Sequence, residues 1–441
     1  MRDLLLMAVI LPCIPVALFN PYFGVLAYVW VGLMNPHRFV YRLSNFPVAF
    51  AFAVATMAGM VITRRFGRYP VRAEMTLILL WFIYTTTTCI LALNGVEAWT
   101  EWDRFSKILL MCLVVALLLQ EKTRLHHLIA VMAVSIGFFG FKGGIFSILT
   151  KGNYMVFGPR GSFIEGNNEL ALAELMILPL ILYFIRQEKK GWRRQGLQLC
   201  FFLTMVSAVF SYSRGALIAL AGVSMLLAWR SKYRTRAIAA AMIGGALLIV
   251  FAPKAWTTRM ATTATYQQDP SAMGRINAWH FAFNLANDRP IGGGFKAFTP
   301  ELFTRWAPDP SNYHDAHSIY FEVLGEQGYP GLAIFLGIMV TSLMRMQRLR
   351  KRTRREPRLK WVKDMAEMLQ CSILAYALGG AFLGLAYFDL YYYLVIAGVL
   401  LDVVYGDERR KLEEADTATA EVAPAPARVP AMGPLPAPRP A

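Results

Sequence analysis

Residues 170–185 read LALAELMILPLILYFI, and RQEKKGWRR follows at once at 186–194. The first stretch carries one charge, Glu174, and the second carries five Lys/Arg. A helix that crosses hydrocarbon needs about 20 predominantly apolar residues. An apolar run closed by a basic cluster is the pattern of such a helix ending on the cytoplasmic side. Similar runs recur at 76–93 and 237–252, and roughly a dozen lie along the 441 residues. Composition agrees: 56% of the chain is hydrophobic and 17% charged, against about 25% charged in an ordinary soluble domain. The runs are continuous rather than alternating at every second residue, which excludes a transmembrane β-barrel. The expected fold is all-α, a polytopic integral membrane protein.

Charge then orders the runs. An excess of 45 Lys+Arg over 28 Asp+Glu would point to nucleic acid in a soluble chain. Here the basic residues gather in five short loops, 64–72, 121–127, 186–194, 230–236 and 345–363, which hold 4, 2, 5, 4 and 10 of them. The much longer segment 254–328 holds only six. The bias sets the five loops in the cytoplasm and 254–328 outside, and no nucleic-acid partner is expected. Spans are placed near 47–63, 73–93, 107–119, 127–149, 168–185, 196–211, 214–229, 237–252, 328–344, 366–385 and 390–405. Residues 3–34, interrupted by Pro12, Pro15 and Pro21, leave room for one broken span plus a short or re-entrant piece. The expectation is therefore about 12 transmembrane helices. They divide into a first set over 1–253, a large helical periplasmic loop at 254–328, a last set over 329–405, and a disordered cytoplasmic tail at 406–441. The two halves show no matched pair of broken helices, which argues against an inverted-repeat permease. The five cysteines lie in apolar runs at irregular spacing, so neither a disulfide framework nor a zinc site is expected.

Four segments fall on the outer side. One is the Gly/Pro-rich stretch around Arg160 and Glu165; another is the tight turn Ser211-Tyr-Ser-Arg214-Gly215. The long loop contributes Gly274-Arg275-Ile-Asn-Ala-Trp279, then Asp288-Arg-Pro-Ile-Gly-Gly-Gly294-Phe, then His314-Asp-Ala-His317-Ser-Ile-Tyr320. Asp389 stands alone between the last two spans. A charge beside a membrane span is expensive and is usually paired or functional, although Arg214 could also snorkel to headgroups. Arginines converging outside a membrane suit phosphate, because guanidinium binds its oxygens bidentately and stays charged at any pH. With no Walker loop and no acidic metal cluster in the sequence, a clamp needing neither metal nor cofactor is the natural reading. His317 suits a general base, with Asp315 or Glu322 able to orient it. The spacing His314-x-x-His317 could also hold a metal, but no third ligand stands nearby.

These segments together resemble the O-antigen ligase/polymerase superfamily. The resemblance rests on the Ser-Tyr-Ser-Arg214-Gly turn, on Gly-Arg275-x-x-x-Trp279 with Asp-Arg-Pro-Ile-Gly-Gly-Gly, and on Ala-His317-Ser-x-Tyr-x-x-x-x-Gly-Glu-Gln-Gly. It covers about 150–400. Many members have His-Asn where this chain has His317-Ser318. The N-terminal third resembles the O-glycosylation ligases associated with exosortase systems. The resemblance implies a metal-independent, inverting glycosyltransferase of the bacterial inner membrane with its active site facing the periplasm. It would move glycan from undecaprenyl diphosphate to lipid A–core oligosaccharide, among membrane lipids. The alternatives are a polymerase or a protein O-oligosaccharyltransferase with the same donor, or a lipid-linked glycan flippase. On this resemblance His317 would be the catalytic base and Arg214 and Arg275 the diphosphate clamp, helped by Arg160. His314, Tyr320 and Asp389 would be supporting residues.

Overall fold

The computed structural model describes residues 2–39, 46–230, 234–261 and 270–422. Its helices are α1 (Arg2–Phe19), α2 (Pro21–Met34), α3 (Val48–Thr63), α4 (Ala73–Ile90), α5 (Gly95–Leu118), α6 (Lys122–Leu149), α7 (Asn167–Gln187) and α8 (Gly191–Val209), then α9 (Arg214–Arg230), α10 (Arg234–Phe251), α11 (Lys254–Ala261), α12 (Pro270–Asp288), α13 (Pro300–Trp306), α14 (Ile319–Arg352), α15 (Lys360–Gly379) and α16 (Asp389–Val422). No strand occurs among the described residues.

Six of these stretches are long and apolar enough to cross a membrane: α4, α6, α7, α14, the segment Pro357–Phe382 built on α15, and α16 to Ala418. Shorter apolar helices cover Leu6–Phe19, Pro21–Met34 and Val48–Thr63. The bundle is apolar inside and out. Leu390–Leu401 of α16 are all buried, as a helix hydrophobic all round must be. Meanwhile Val61 and Ile62 on α3, Ile83 on α4 and Val134 on α6 point outward and exposed. Outward apolar faces on several helices need a lipid solvent. The chain is a multi-pass helical membrane protein.

Close helix approach depends on small residues. Gly140, Gly143 and Gly144 of α6 face Thr204, Ser207 and Leu203 of α8, and a Cβ on Gly144 would overlap the Leu203 backbone. Small residues four apart let backbones meet where lipid offers no hydrophobic drive.

Three expectations are corrected. Residues 3–34 form two helices, α1 and α2, with Asn20 between them accepting the Phe23 amide. Pro12 and Pro15 lie inside α1, so the prolines shape the first helix without preventing a second. The segment 254–328 does not end where α14 begins: α14 starts at Ile319 and kinks at Gly328, φ 64°. Gly292 and Gly294, φ 77° and 82°, carry the preceding loop against that kink. The Gly293 and Gly294 amides donate to the Gly325 and Glu326 carbonyls at 2.9 and 2.7 Å, and Tyr329 N donates to Pro290 O at 3.0 Å. The bend therefore has its backbone groups satisfied, and the glycines allow the close approach of this loop to α14. Third, the last helix continues past 405 to Val422. Pairs three and four apart, Arg410–Asp407 at 3.2 Å and Arg409–Glu413 at 2.7 Å, support its polar end. Residues 423–441, the Ala/Pro part of the expected tail, lie outside the described residues.

At the end carrying the basic loops, Arg345 bonds Glu74 through Nε at 2.8 Å and Asp402 through Nη1 at 2.8 Å. Arg72 reaches the same Asp402 oxygen at 2.7 Å. At the opposite end, α12 and α13 build a small second core of Phe281, Leu285, Phe298 and Phe303, which seats the loop on α14.

Candidate functional site

The turn into α9 is fixed by its own residues. Ser211 Oγ donates to Ala208 O at 2.7 Å and accepts the Ser213 amide at 3.2 Å. Ser213 Oγ accepts the Ala216 amide at 3.2 Å, an N-cap arrangement. Asn167 holds Ser211 O at 2.7 Å, and Tyr212 OH donates to Gly152 O at 2.8 Å. Tyr212 sits at φ 63°, a backbone conformation that L side chains rarely adopt. The result places Arg214 at the first turn of α9, where helix dipoles already favour an anion.

Arg275 comes from α12. That helix is tied down by Asn277, whose Nδ2 donates to Asp309 O at 2.8 Å and to Asn312 O at 2.9 Å, and by Trp279 Nε1, which donates to Ala316 O at 2.8 Å. The Trp279 ring stacks on Phe321 with centroids 4.9 Å apart. The His314 ring lies where a Cβ on Gly274 would stand, so the glycine before Arg275 makes room for it.

Arg214, Arg275 and a third arginine, Arg259 of α11, line one pocket together with Asn168, Ser213 and Ser271. No Asp or Glu is among its described lining residues. Arg259 Nε donates to Tyr212 O at 3.1 Å, so the strained turn seats this arginine as well. A second, apolar groove shares Arg214, Gly215, Arg275 and Phe382 with the pocket and continues along Ile218, Ile276 and Trp279. A cationic pocket opening onto an apolar groove matches a ligand with an anionic head and a hydrocarbon tail.

His317 is half-buried and sits at φ 43° just before α14. A non-glycine residue in that region stores strain, which clusters at functional sites. Burial first, then the Arg275 charge, push its imidazole below the ordinary value, against the pull of Asp315. The ring is therefore neutral at neutral pH and free to take a proton. A Cβ on Gly384 would lie 3.7 Å from His317 N and 3.5 Å from Glu322 Oε2. This sets the backbone of His317 against the loop that follows α15, while the residue lines neither the arginine pocket nor the apolar groove.

The other sequence candidates lie elsewhere. Arg160 is exposed and lines neither the arginine pocket nor the apolar groove; its neighbour Gly161 abuts the Arg38 guanidinium. His314 Nδ1 pairs with Tyr313 O. Tyr320 OH donates to Ala377 O at 2.8 Å, a packing bond to α15. Asp389 is buried, accepts the Leu390 amide at 2.8 Å and faces Arg104 electrostatically. Among the described residues no group of three His, Cys, Asp or Glu is placed to hold a metal. Arg259 was missed by sequence reasoning; its only signal was being one of six basic residues in a segment otherwise depleted of them.

The family profile described as O-Antigen ligase matches residues 199–336. That interval contains Arg214, Arg259, Arg275, His314 and His317, while Arg160 and Asp389 fall outside it. Residues 1–189 match a family of unknown function, DUF5935. No curated protein matches the chain.

Proposed function

We propose that this chain, whose residues 199–336 match the O-antigen ligase family profile, is a membrane glycosyltransferase that moves glycan from undecaprenyl diphosphate to an acceptor hydroxyl at the outer face of the bacterial inner membrane. The observation that carries this reading is the convergence of Arg214, Arg259 and Arg275 on one pocket continuous with an apolar groove, with His317 under the influence of Arg275. The arginines hold the diphosphate and neutralise the charge that grows on it as it leaves. The groove takes the first isoprene units. His317 accepts the acceptor hydroxyl proton as the oxygen attacks the anomeric carbon. The bond from that carbon to the diphosphate oxygen breaks, its electron pair leaves with undecaprenyl diphosphate, and attack opposite the leaving group inverts the anomeric centre. Neither metal nor ATP enters the balance, since the donor is already activated.

The acceptor implied by the family is lipid A–core oligosaccharide; a polymerase differs only in using a lipid-linked glycan, and a protein O-oligosaccharyltransferase in using a protein hydroxyl. A flippase would carry its charges along a path through the bilayer, whereas these arginines gather at one end of the bundle. The test is transfer by purified protein in detergent with donor and acceptor. His317→Ala should lose about 10²–10⁴ in rate while retaining donor binding, and EDTA should have no effect. Full activity in His317→Ala, or chelator inhibition reversed by zinc, would sink the assignment.

A further inference from the structure

Toward the end carrying the basic loops, α9 runs antiparallel to α15. A Cβ on Gly215 would meet Phe382 at 3.1 Å, one on Gly379 would meet Ala219 at 3.4 Å, and one on Gly222 would meet Leu378 at 2.6 Å. Eight residues on from Gly222, and eight back from Leu378, the same register sets Arg230 level with Gln370. Gln370 Oε1 accepts Arg350 Nη1 of α14 at 3.0 Å, and Gln347 Oε1 accepts the same nitrogen at 2.8 Å. Two guanidinium groups from different helices are thus brought to one level, where the Arg230 charge acts on Arg350.

Neither arginine is fully satisfied. Arg230 Nη1 and Arg350 Nε are both buried, and neither has a hydrogen-bond partner. The carboxylate that acts on Arg350, Glu367, is itself bridged by Arg186 at 3.5 Å. A buried donor left without an acceptor costs its desolvation, more so on a charged group, and two like charges side by side add repulsion. An anion with several oxygens removes both costs, and phosphate oxygens fit the guanidinium fork. Position identifies the source of the phosphate. Trp229, next to Arg230, and Trp192, in the first turn of α8, are both exposed, as aromatic side chains at a membrane–water boundary are. The loops at this end, 186–194, 230–236 and 345–363, hold 5, 4 and 10 Lys/Arg. Basic pockets between helices at that depth meet the headgroups of anionic lipids.

We propose that Arg230 and Arg350, where α9, α14 and α15 meet, bind the phosphate of an anionic phospholipid in the leaflet facing the basic loops. The site lies at the opposite end of α9 from Arg214, and it stands whether or not the arginine pocket holds a donor. α9 carries Arg214 at its far end and α14 follows directly on His317. One headgroup therefore braces the two helices whose other ends bear the residues of the candidate site.

The experiment titrates full-length protein in detergent with phosphatidylglycerol, phosphatidylcholine or inorganic phosphate, and reads binding by native mass spectrometry and by melting temperature. Phosphatidylglycerol should bind at least ~10-fold more tightly than phosphatidylcholine, whose choline cation the arginines repel, and more tightly than inorganic phosphate. It should also raise the melting temperature, as a ligand of the folded state does. Arg230→Gln should weaken phosphatidylglycerol binding by ~10-fold or more and abolish that rise. Arg348→Gln removes an exposed charge two residues from Arg350 and should change affinity by less than ~twofold. If Arg230→Gln does not fold, Arg230→Lys, which keeps the charge and loses the fork, should show part of the same loss. Equal losses in Arg230→Gln and Arg348→Gln would mean diffuse attraction to the basic loops and overturn the site. So would inorganic phosphate binding as tightly as phosphatidylglycerol, or the two lipids binding alike.

Discussion

Two adjoining chambers differ in their charged lining. One is lined by three arginines and no described carboxylate; the other by five glutamates and two cations that are held by ring and carboxylate neighbours. The boundary between them takes one residue step, from Asn168 to Glu169 on α7. Successive residues of a helix point about 100° apart, so the first turn of α7 serves both chambers without any change of backbone. His317 lines neither chamber; it feels the Arg275 charge, and its backbone lies beside Gly384 of the cleft.

The comparison is broken most easily on the cationic side. Arg214→Ala and Arg275→Ala should each reduce transfer by about 10²–10³, the loss typical of removing one transition-state charge contact. Lysine at either position should restore only part, since a point charge does not reproduce the guanidinium fork. Transfer within a few-fold of normal in Arg214→Ala, at preserved expression, would remove the distinction between the chambers.

A smaller effect sharpens the comparison through pH. In the base role proposed for His317 the neutral ring is the working form, so transfer should be full above its pKa and fall as pH drops through it. Because burial and Arg275 hold that pKa down, the acid limb should lie below the ordinary imidazole value of about 6.5. Asp315 pulls the other way, so Asp315→Asn should move the limb to still lower pH. Arg275→Gln, read on its residual activity, should move it up. A limb that ignores both substitutions belongs to another group.

The smallest expected effects separate Arg259 from Arg160. Arg259→Ala should cost about 10-fold, the worth of one charge-assisted hydrogen bond. Arg160→Ala should stay within about twofold, as for an exposed residue away from special contacts. The reverse order, measured as kcat/KM for donor, would return Arg160 to the clamp.

How much of this could be read from sequence follows from the range of each interaction. That Arg214 and Arg275 come together was legible because each stands in a short motif, and because apolar runs and basic loops set both at one end of the bundle. Arg259 was not, since its place in the pocket comes from α11 lying on a turn 47 residues earlier, through its bond to Tyr212 O. The cleft was not legible either: Glu101, Glu165 and Lys296 come from α5, the 150–166 stretch and the 289–299 stretch, and no local spacing joins them.

The amino-acid sequence by itself determined that the chain is a bundle of membrane helices and which loops share a side. Hydrocarbon demands long apolar runs with internally satisfied backbones, and the basic residues mark one end. It also supplied the residue types suited to phosphate and to proton transfer. Only the tertiary structure decided which arginines share a pocket and that α14 bends at Gly328 to meet the glycine loop. It alone set a cleft rich in glutamates beside the arginine pocket. Such partners lie far apart along the chain, and only packing brings their charges close enough for Coulomb energy to act.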